Sequence, residues 1–148
     1  MCTTTATDGI QLGGAVGYLD GGTIQNVTVK GSVKNAARAG GIVGAASSGT
    51  IKNCTNEANV ASTALNTFKT DKGEITNGYN VASGIVGYVR NFADKTAGSG
   101  TLEISGLENK GELSGAYTFQ EMCKNKSEEG ASGAYHSSVT IIDRSVSE

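Results

Sequence analysis

The sequence predicts an all-β chain, organised as a short parallel β-helix or β-solenoid of about three glycine-rich rungs with insertions and a C-terminal cap. Three observations predict it: an internal repeat, a composition suited to a thin core, and short segments of alternating polarity. The chain has 148 residues, a length typical of a single domain. We therefore expect residues 1–148 to form one β-solenoid domain.

The composition favours a narrow interior. The chain has 22 glycines, no proline or tryptophan, and only 5% aromatic residues. So few bulky side chains cannot fill a wide globular core, whereas Val, Ile, Leu and Ala suit the inside of a stacked coil. Recurrent apolar clusters argue against disorder, and the lack of a strict three-residue glycine period excludes collagen.

An ungapped internal repeat decides the fold class. Residues 13–33 read GGAVGYLDGGTIQNVTVKGSV, and residues 40–60 read GGIVGAASSGTIKNCTNEANV. Self-similarity at a fixed period is the signature of a repeat architecture. A shift of 27 gives these matches: Gly14 on Gly41, Gly17 on Gly44, and Thr23 on Thr50.

A third copy spans residues 83–113 and is interrupted. Gly84 and Gly87 match the second copy at a shift of 43, and residues 104–113 match it at a shift of 53. A unit of this length cannot bury its apolar face alone, but stacked units can. The sequence therefore predicts three stacked units whose strands pair at about 4.8 Å.

Each unit is predicted to contain short strands joined by a turn. In the first unit, residues 27–33 alternate between apolar and polar, as in a half-buried strand. The pairs Asp20-Gly21 and Ser48-Gly49 are typical of turns, and we expect them to separate two strands.

Three non-aliphatic side chains fall on interior positions of the repeat: Cys54, Asn56 and Asn109. Cys54 takes the position of Val27 and Leu107, which favours a buried, unreactive thiol. Stacked asparagines bond each other and the turn backbone in repeat folds. We expect Asn56 and Asn109 to form such a ladder, in preference to binding a ligand.

Two insertions, at 61–82 and 90–100, break the repeat symmetry. They contain Tyr79, Arg90 and Phe92. Because recognition usually resides on loops held by a rigid scaffold, we expect these three residues to be the binding candidates.

Residues 114–148 lie beyond the repeats and are predicted to cap the stack. The ends of a parallel stack expose unpaired strand edges, which proteins cover with caps, loops or neighbours. End-to-end self-association is the alternative way to cover such an edge.

The repeat units resemble the GLUG motif, named for its Gly-Leu-hydrophobic-Gly core. That core is matched by residues 14–17, 41–44 and 84–87. The resemblance implies a β-helix-like stack and a role in secreted or surface-anchored bacterial proteins. These include large adhesin-like proteins and the non-catalytic parts of some IgA-cleaving metallopeptidases. It brings no catalytic residues.

The chemistry-bearing residues do not form a catalytic or metal-binding pattern. His136 is the one histidine, and no nucleophile and carboxylate are spaced for a triad with it. Cys2, Cys54 and Cys123 lack the spacing of a zinc site. No carboxylate recurs at one position in adjacent units. We therefore expect no enzyme activity, no catalytic residue, no metal and no cofactor.

The charge and hydropathy of the chain restrict the classes of partner that we expect. The net charge is -2 with both signs interspersed, so we expect no nucleic-acid partner. The longest apolar runs, about five residues, are too short to enter a bilayer. The expected partner is a host or cell-surface glycan or protein. We expect an extracellular or cell-surface location, with the export signal outside this chain.

These observations favour a non-catalytic module that serves as a spacer, adhesive or ligand-binding segment. The alternatives are a fragment of a glycan-active β-helix enzyme, or the non-catalytic region of a large surface peptidase. An ice- or crystal-surface binder would need flat ranks of threonine, for which Thr23, Thr50 and Thr101 are candidates.

Overall fold

The computed structural model describes residues 2–5, 11–34, 38–62, 66–70, 73–77 and 80–145. Within them the chain is all-β apart from one short helix. The strands up to the end of the second repeat are β1 Cys2–Thr5, β2 Gln11–Gly13, β3 Val16–Gln25, β4 Thr28–Val29, β5 Gly31–Lys34, β6 Arg38–Gly40, β7 Val43–Asn56 and β8 Asn59–Ser62. Those that follow are β9 Asn66–Thr70, β10 Gly73–Asn77, β11 Val81–Ser83, β12 Val86–Val89, β13 Gly100–Asn109, β14 Leu113–Gly115, β15 Tyr117–Phe119 and β16 Val139–Asp143. The helix is α1 Ala131–Ala134.

Successive repeats stack through three parallel sheets, which makes the arrangement β-helix-like. The first sheet has the strand order β1-β5-β8-β14, and the second has the order β15-β11-β6-β2. The third is built around β7, which pairs with β3 and β4 from the first repeat and with β12 and β13 from the third. The second repeat therefore lies between the other two.

The strand registers reproduce the offsets found in the sequence. Val16 pairs with Val43, an offset of 27. Val43 pairs with Val86, an offset of 43, and Ile51 pairs with Ile104, an offset of 53. Equivalent residues of the repeats thus lie side by side in columns across the sheets.

The core lies between the sheets and consists of aliphatic side chains from alternate positions. One column contains Leu19, Ala46 and Val89, all buried. Another contains Ile51 and Ile104, with Ile24 partly buried at the first repeat. Because side chains alternate across a strand, these columns point inward. Burying each Val, Leu or Ile side chain contributes about 1.5–3 kcal/mol.

The turns predicted at Asp20-Gly21 and Ser48-Gly49 are not strand breaks. β3 and β7 continue through these positions. Instead Gly21 has φ +85° and Gly49 has φ +121°, and the register shifts between Leu19 and Thr23. A glycine at positive φ bends the chain without a Cβ clash, so the strand turns a corner while its parallel pairing continues.

The two insertions differ in structure. Within 61–82 the described residues form an antiparallel hairpin of β9 and β10, whereas Ser62 and Val81 belong to the stacked sheets. Within 90–100 the described backbone is a loop that ends where β13 begins at Gly100.

The C-terminal region adds short strands to the last repeat. β15 pairs in parallel with β11, and β16 pairs in parallel with β13. The edges of two sheets of the third repeat are thereby covered. No helix among the described residues is long and apolar enough to cross a membrane.

Candidate functional site

An outward-facing column contains two tyrosines separated by an alanine. Tyr18 pairs with Ala45, and Ala45 pairs with Tyr88. Their chain neighbours point into the core, so these three side chains point to the opposite face of the sheet. Two strand spacings separate the tyrosines, about 9.6 Å. The small Ala45 therefore leaves a gap between two aromatic rings.

Phe92 packs against both tyrosines. Its ring centroid lies 5.7 Å from that of Tyr18 and 5.7 Å from that of Tyr88, with interplanar angles of 71° and 77°. Edge-to-face geometry of this kind is favourable for aromatic pairs. Tyr18 is 44% exposed and Phe92 is 41% exposed, whereas Tyr88 is only 5% exposed. Two of the three rings therefore remain accessible to a ligand.

Two arginines contact these rings. The guanidinium carbon of Arg90 lies 5.4 Å from the Phe92 ring centroid, and its Nη1 donates to the Tyr88 hydroxyl at 3.2 Å. The guanidinium carbon of Arg38 lies 4.1 Å above the Tyr88 ring, while its Nε donates to the Gly133 carbonyl. Both distances fall within cation–π range. We call Tyr18, Tyr88, Arg90 and Phe92 the aromatic–arginine cluster.

An open groove of about 490 Å³ adjoins this cluster. Its lining residues are Gln11, Gly17, Tyr18, Ala45 and Phe92. Ligand sites commonly combine aromatic walls with a few polar groups. Here the exposed rings supply the walls and Gln11 supplies an amide.

The loop that carries Phe92 is held by hydrogen bonds. The backbone N–H of Asn91 donates to Ser138 Oγ at 2.9 Å. The Asn91 side-chain oxygen accepts from the N–H groups of Ala93 and Asp94. Hydrogen bonds from the backbone and side chain of Thr96 lower the pKa of Asp94. These contacts fix the loop relative to the sheet, so the Phe92 ring is positioned before any ligand binds.

His136 lies beside the cluster in positively charged surroundings. Its backbone N–H donates to the Val89 carbonyl, which places it one strand above Arg90. Burial lowers the pKa of His136, and the charges of Arg90, Lys126 and Lys95 lower it further.

The His136 ring is hydrogen-bonded to Ser138. Its Nδ1 accepts from the Ser138 N–H at 3.0 Å and lies 2.8 Å from Ser138 Oγ. Ser138 is fully buried, so its hydroxyl is not available as a nucleophile. In the described part of the chain, no three His, Cys, Asp or Glu side chains group in a way that would hold a metal ion.

The motif glycines lie where successive repeats approach closely. A Cβ on Gly14, Gly41 or Gly84 would collide with a carbonyl oxygen of the next layer. Gly44 and Gly87 face the preceding layer, where a Cβ would lie 2.7 Å and 2.9 Å from a carbonyl oxygen. Gly17 differs, because no described atom lies within 4 Å of its Cβ position.

Asn56 and Asn109 form a hydrogen-bonded ladder. Asn56 is fully buried, and its Nδ2 donates to the Ala58 carbonyl and to Asn109 Oδ1, both at 2.8 Å. The Ala58 N–H donates back to Asn56 Oδ1 at 3.1 Å. Asn109 makes the matching pair of bonds with Gly111 and extends the ladder to Gln120. Both side chains therefore satisfy the turn backbone beside them.

The two cysteines whose side chains are described are free thiols in the interior. Cys54 is fully buried between the sheets and pairs with Leu107 across the third sheet. Burial raises the pKa of Cys123 to about 12, and Glu128 also raises it, against a backbone hydrogen bond to Asn125 that lowers it. Neither cysteine lines the groove beside the cluster.

Of the three predicted binding residues, the structure brings Arg90 and Phe92 together, and Tyr79 lies outside the described residues. The sequence reasoning missed Tyr18 and Tyr88. A signal for them exists, because both follow the second glycine of the motif, in GGAVGY and SGIVGY. Arg38 does not follow a motif glycine, so the sequence gives no comparable signal for it.

The parallel stack of equivalent strands makes this chain a repeat protein. A protein-family model described as "The GLUG motif" matches residues 8–34 and 35–61, two adjacent segments that contain the first two repeats. These two segments are GLUG-motif repeats. Searches among curated proteins and solved structures give no match.

Proposed function

We propose that this chain is a non-catalytic β-solenoid module of an exported bacterial surface protein and that it binds carbohydrate through the aromatic–arginine cluster. The observation that carries the proposal is the pair of exposed rings, Tyr18 and Phe92, beside an open groove. The parallel strand registers, which reproduce the offsets of the sequence repeat, support the solenoid.

The cluster suits a sugar ring for physical reasons. The C–H face of a pyranose is apolar and gains free energy when it packs on an aromatic surface. Its hydroxyl edge needs hydrogen-bond partners, which Gln11 and Arg90 offer. The rings are already held in place by their mutual contacts, so little side-chain entropy is lost on binding.

The direct test is a glycan array followed by titration calorimetry on the glycans that bind. We expect Phe92→Leu to weaken binding by about tenfold or more, because an aromatic anchor at a binding interface contributes about 1.4 kcal/mol or more. Phe119→Leu is the matched control, since Phe119 lines a different cavity from the groove. Binding that survives Phe92→Leu unchanged would contradict the proposal.

The surface location and the spacer role are part of the same proposal, and the match to the GLUG motif is what supports them. Antibody labelling of intact and lysed source cells tests the location. A pull-down with host surface proteins tests the protein-partner alternative. End-to-end association through the exposed edge of β3 is tested by sedimentation of the purified chain.

The alternatives make different predictions. A glycan-active fragment would turn over a polysaccharide, and one carboxylate substitution would abolish that turnover. The non-catalytic region of a surface peptidase would adjoin a catalytic domain in the parent chain. An ice binder would show thermal hysteresis, but Thr50 pairs with Thr23 on one side and Glu103 on the other, and Thr101 pairs with Thr140. The threonine rank is therefore interrupted.

A further inference from the structure

Unpaired positive charge borders one side of the aromatic–arginine cluster. Lys126 lines the same cavity as His136, and Arg90 follows Val89, whose carbonyl accepts from the His136 N–H. Besides burial, the charges of Arg90, Lys126 and Lys95 all lower the pKa of His136. In the described part of the chain, none of these three cations forms an ion pair, whereas Lys30, Lys124 and Arg144 each contact a carboxylate. The chain as a whole has a net charge of -2, so this positive region is local.

Arg90 retains binding capacity. A guanidinium carries five N–H donors, and among the described residues the Arg90 guanidinium donates only to the Tyr88 hydroxyl. Its Nε is buried without an acceptor. Asp94 is the carboxylate on the same loop, and it accepts from the Thr96 N–H at 2.9 Å. Among the residues that the structure describes, no carboxylate therefore pairs with this guanidinium.

The positive region lies further along the stacking direction than the groove. Arg90 donates its backbone N–H to the Ala46 carbonyl of the second repeat, and His136 donates to the Val89 carbonyl of the third. A second cavity of about 390 Å³, lined by Lys126 and His136, lies at this upper level. From Tyr18 to His136 the path crosses three strand spacings, about 14 Å.

We propose that the preferred ligand is a negatively charged oligosaccharide that crosses the strands, with one sugar against Tyr18 and Phe92 and its acidic groups toward Arg90, Lys95 and Lys126. This inference rests on the proposed carbohydrate-binding function. Carboxylate and sulfate groups share the required chemistry, because both accept charge-assisted hydrogen bonds from arginine.

The test compares three oligosaccharides of equal length by calorimetry: an oligouronate, a sulfated oligosaccharide and a neutral one. We expect the affinity for an acidic ligand to be at least about tenfold higher than for the neutral one, and to fall as salt is added. The uronate and sulfate arms identify which acidic group is preferred.

Single substitutions test which residues cause the preference for acidic ligands. Arg90→Gln is expected to weaken acidic binding about tenfold, with partial recovery in Arg90→Lys, which keeps the charge. Lys126→Gln is expected to weaken it several-fold, consistent with an exposed charge. Lys110→Gln removes the same charge at an exposed position after β13 and is the matched control. Thermal melting of each variant verifies folding.

The outcomes separate this inference from the proposed function. Equal affinity for the neutral and acidic ligands overturns the inference, and sensitivity of that binding to Phe92→Leu leaves the proposed function standing. Acidic binding that is indifferent to Arg90→Gln and Lys126→Gln also overturns the inference, because the charge then acts elsewhere. Failure of all three ligands in the array and the titration overturns both.

Discussion

The first and second repeats carry the same motif but have different surroundings. The second repeat pairs with a neighbour on each side through β7, whereas the described residues cover the first repeat's β3 on one side alone. Most of the first half of β7 is buried, and most of β3 is exposed. Burial in this fold thus depends on a unit's position in the stack more than on its own sequence. The same contrast leaves Tyr18 accessible and Ala45 covered.

The largest expected difference between the repeats concerns their equivalent glycines. Gly44→Ala places a Cβ 2.7 Å from the Gly17 carbonyl oxygen, and we expect it to lower the free energy of unfolding by about 3 kcal/mol. Gly17→Ala meets no described atom within 4 Å and is expected to change it by less than about 0.5 kcal/mol. Urea denaturation of both variants measures the difference. Equal losses would contradict the stacking order.

A smaller effect is expected in the asparagine ladder. Asn56→Ala leaves the Ala58 N–H and carbonyl without their side-chain partner, and we expect a loss of about 2 kcal/mol. Asn109→Ala removes the equivalent bonds at a less buried position and is expected to cost about 1 kcal/mol. The measurement is again urea denaturation. A greater loss in Asn109→Ala would argue that the third repeat, and not the second, is the better-enclosed layer.

The pH dependence of His136 probes the positive region beside the cluster. Because its folded pKa is lowered by burial and by Arg90, Lys126 and Lys95, the unfolded chain binds more protons there. The contribution of His136 to the free energy of unfolding is therefore fully present above the unfolded pKa of about 6.5. It is lost as the pH falls toward the folded pKa. Arg90→Gln is expected to raise the His136 pKa, followed by NMR titration of the ring protons. Lys110→Gln should leave it unchanged.

The smallest expected effect concerns thiol reactivity. Cys54 and Cys123 are both buried, and a thiol whose pKa is about 12 carries almost no thiolate at neutral pH. In a Cys2→Ser background, we expect no labelling by a thiol reagent until denaturant unfolds the protein. Rapid labelling of the native protein at Cys123 would show that the C-terminal region does not cover the stack.

Much of the fold was predictable because, in a stack of repeats, residues that match in the sequence also pair across the sheets. Gly14 and Gly41 match at an offset of 27 in the sequence, and the strands that contain this motif pair at that same offset. The bend at Gly49 was harder to predict, because a Ser-Gly pair signals a change of direction without showing whether strand pairing continues through it.

The candidate site was predictable only in part. Arg90 and Phe92 stood out because they interrupt the repeat, whereas their contacts with Tyr18 and Tyr88 depend on how one loop folds back on the sheet. That conformation is set by hydrogen bonds such as Asn91 to Ser138, between residues 47 positions apart. Local sequence carries no period from which such a contact can be inferred.

The most direct test of the central claim, that the repeats stack in parallel register, is a methyl NOE measurement on isoleucine-labelled protein. Ile24, Ile51 and Ile104 occupy one column, with Ile51 in the middle. With strands about 4.8 Å apart, the stack predicts strong NOEs from Ile51 to Ile24 and from Ile51 to Ile104, and a weak or absent NOE between Ile24 and Ile104. An Ile51 methyl group without an NOE to either neighbour would contradict the account.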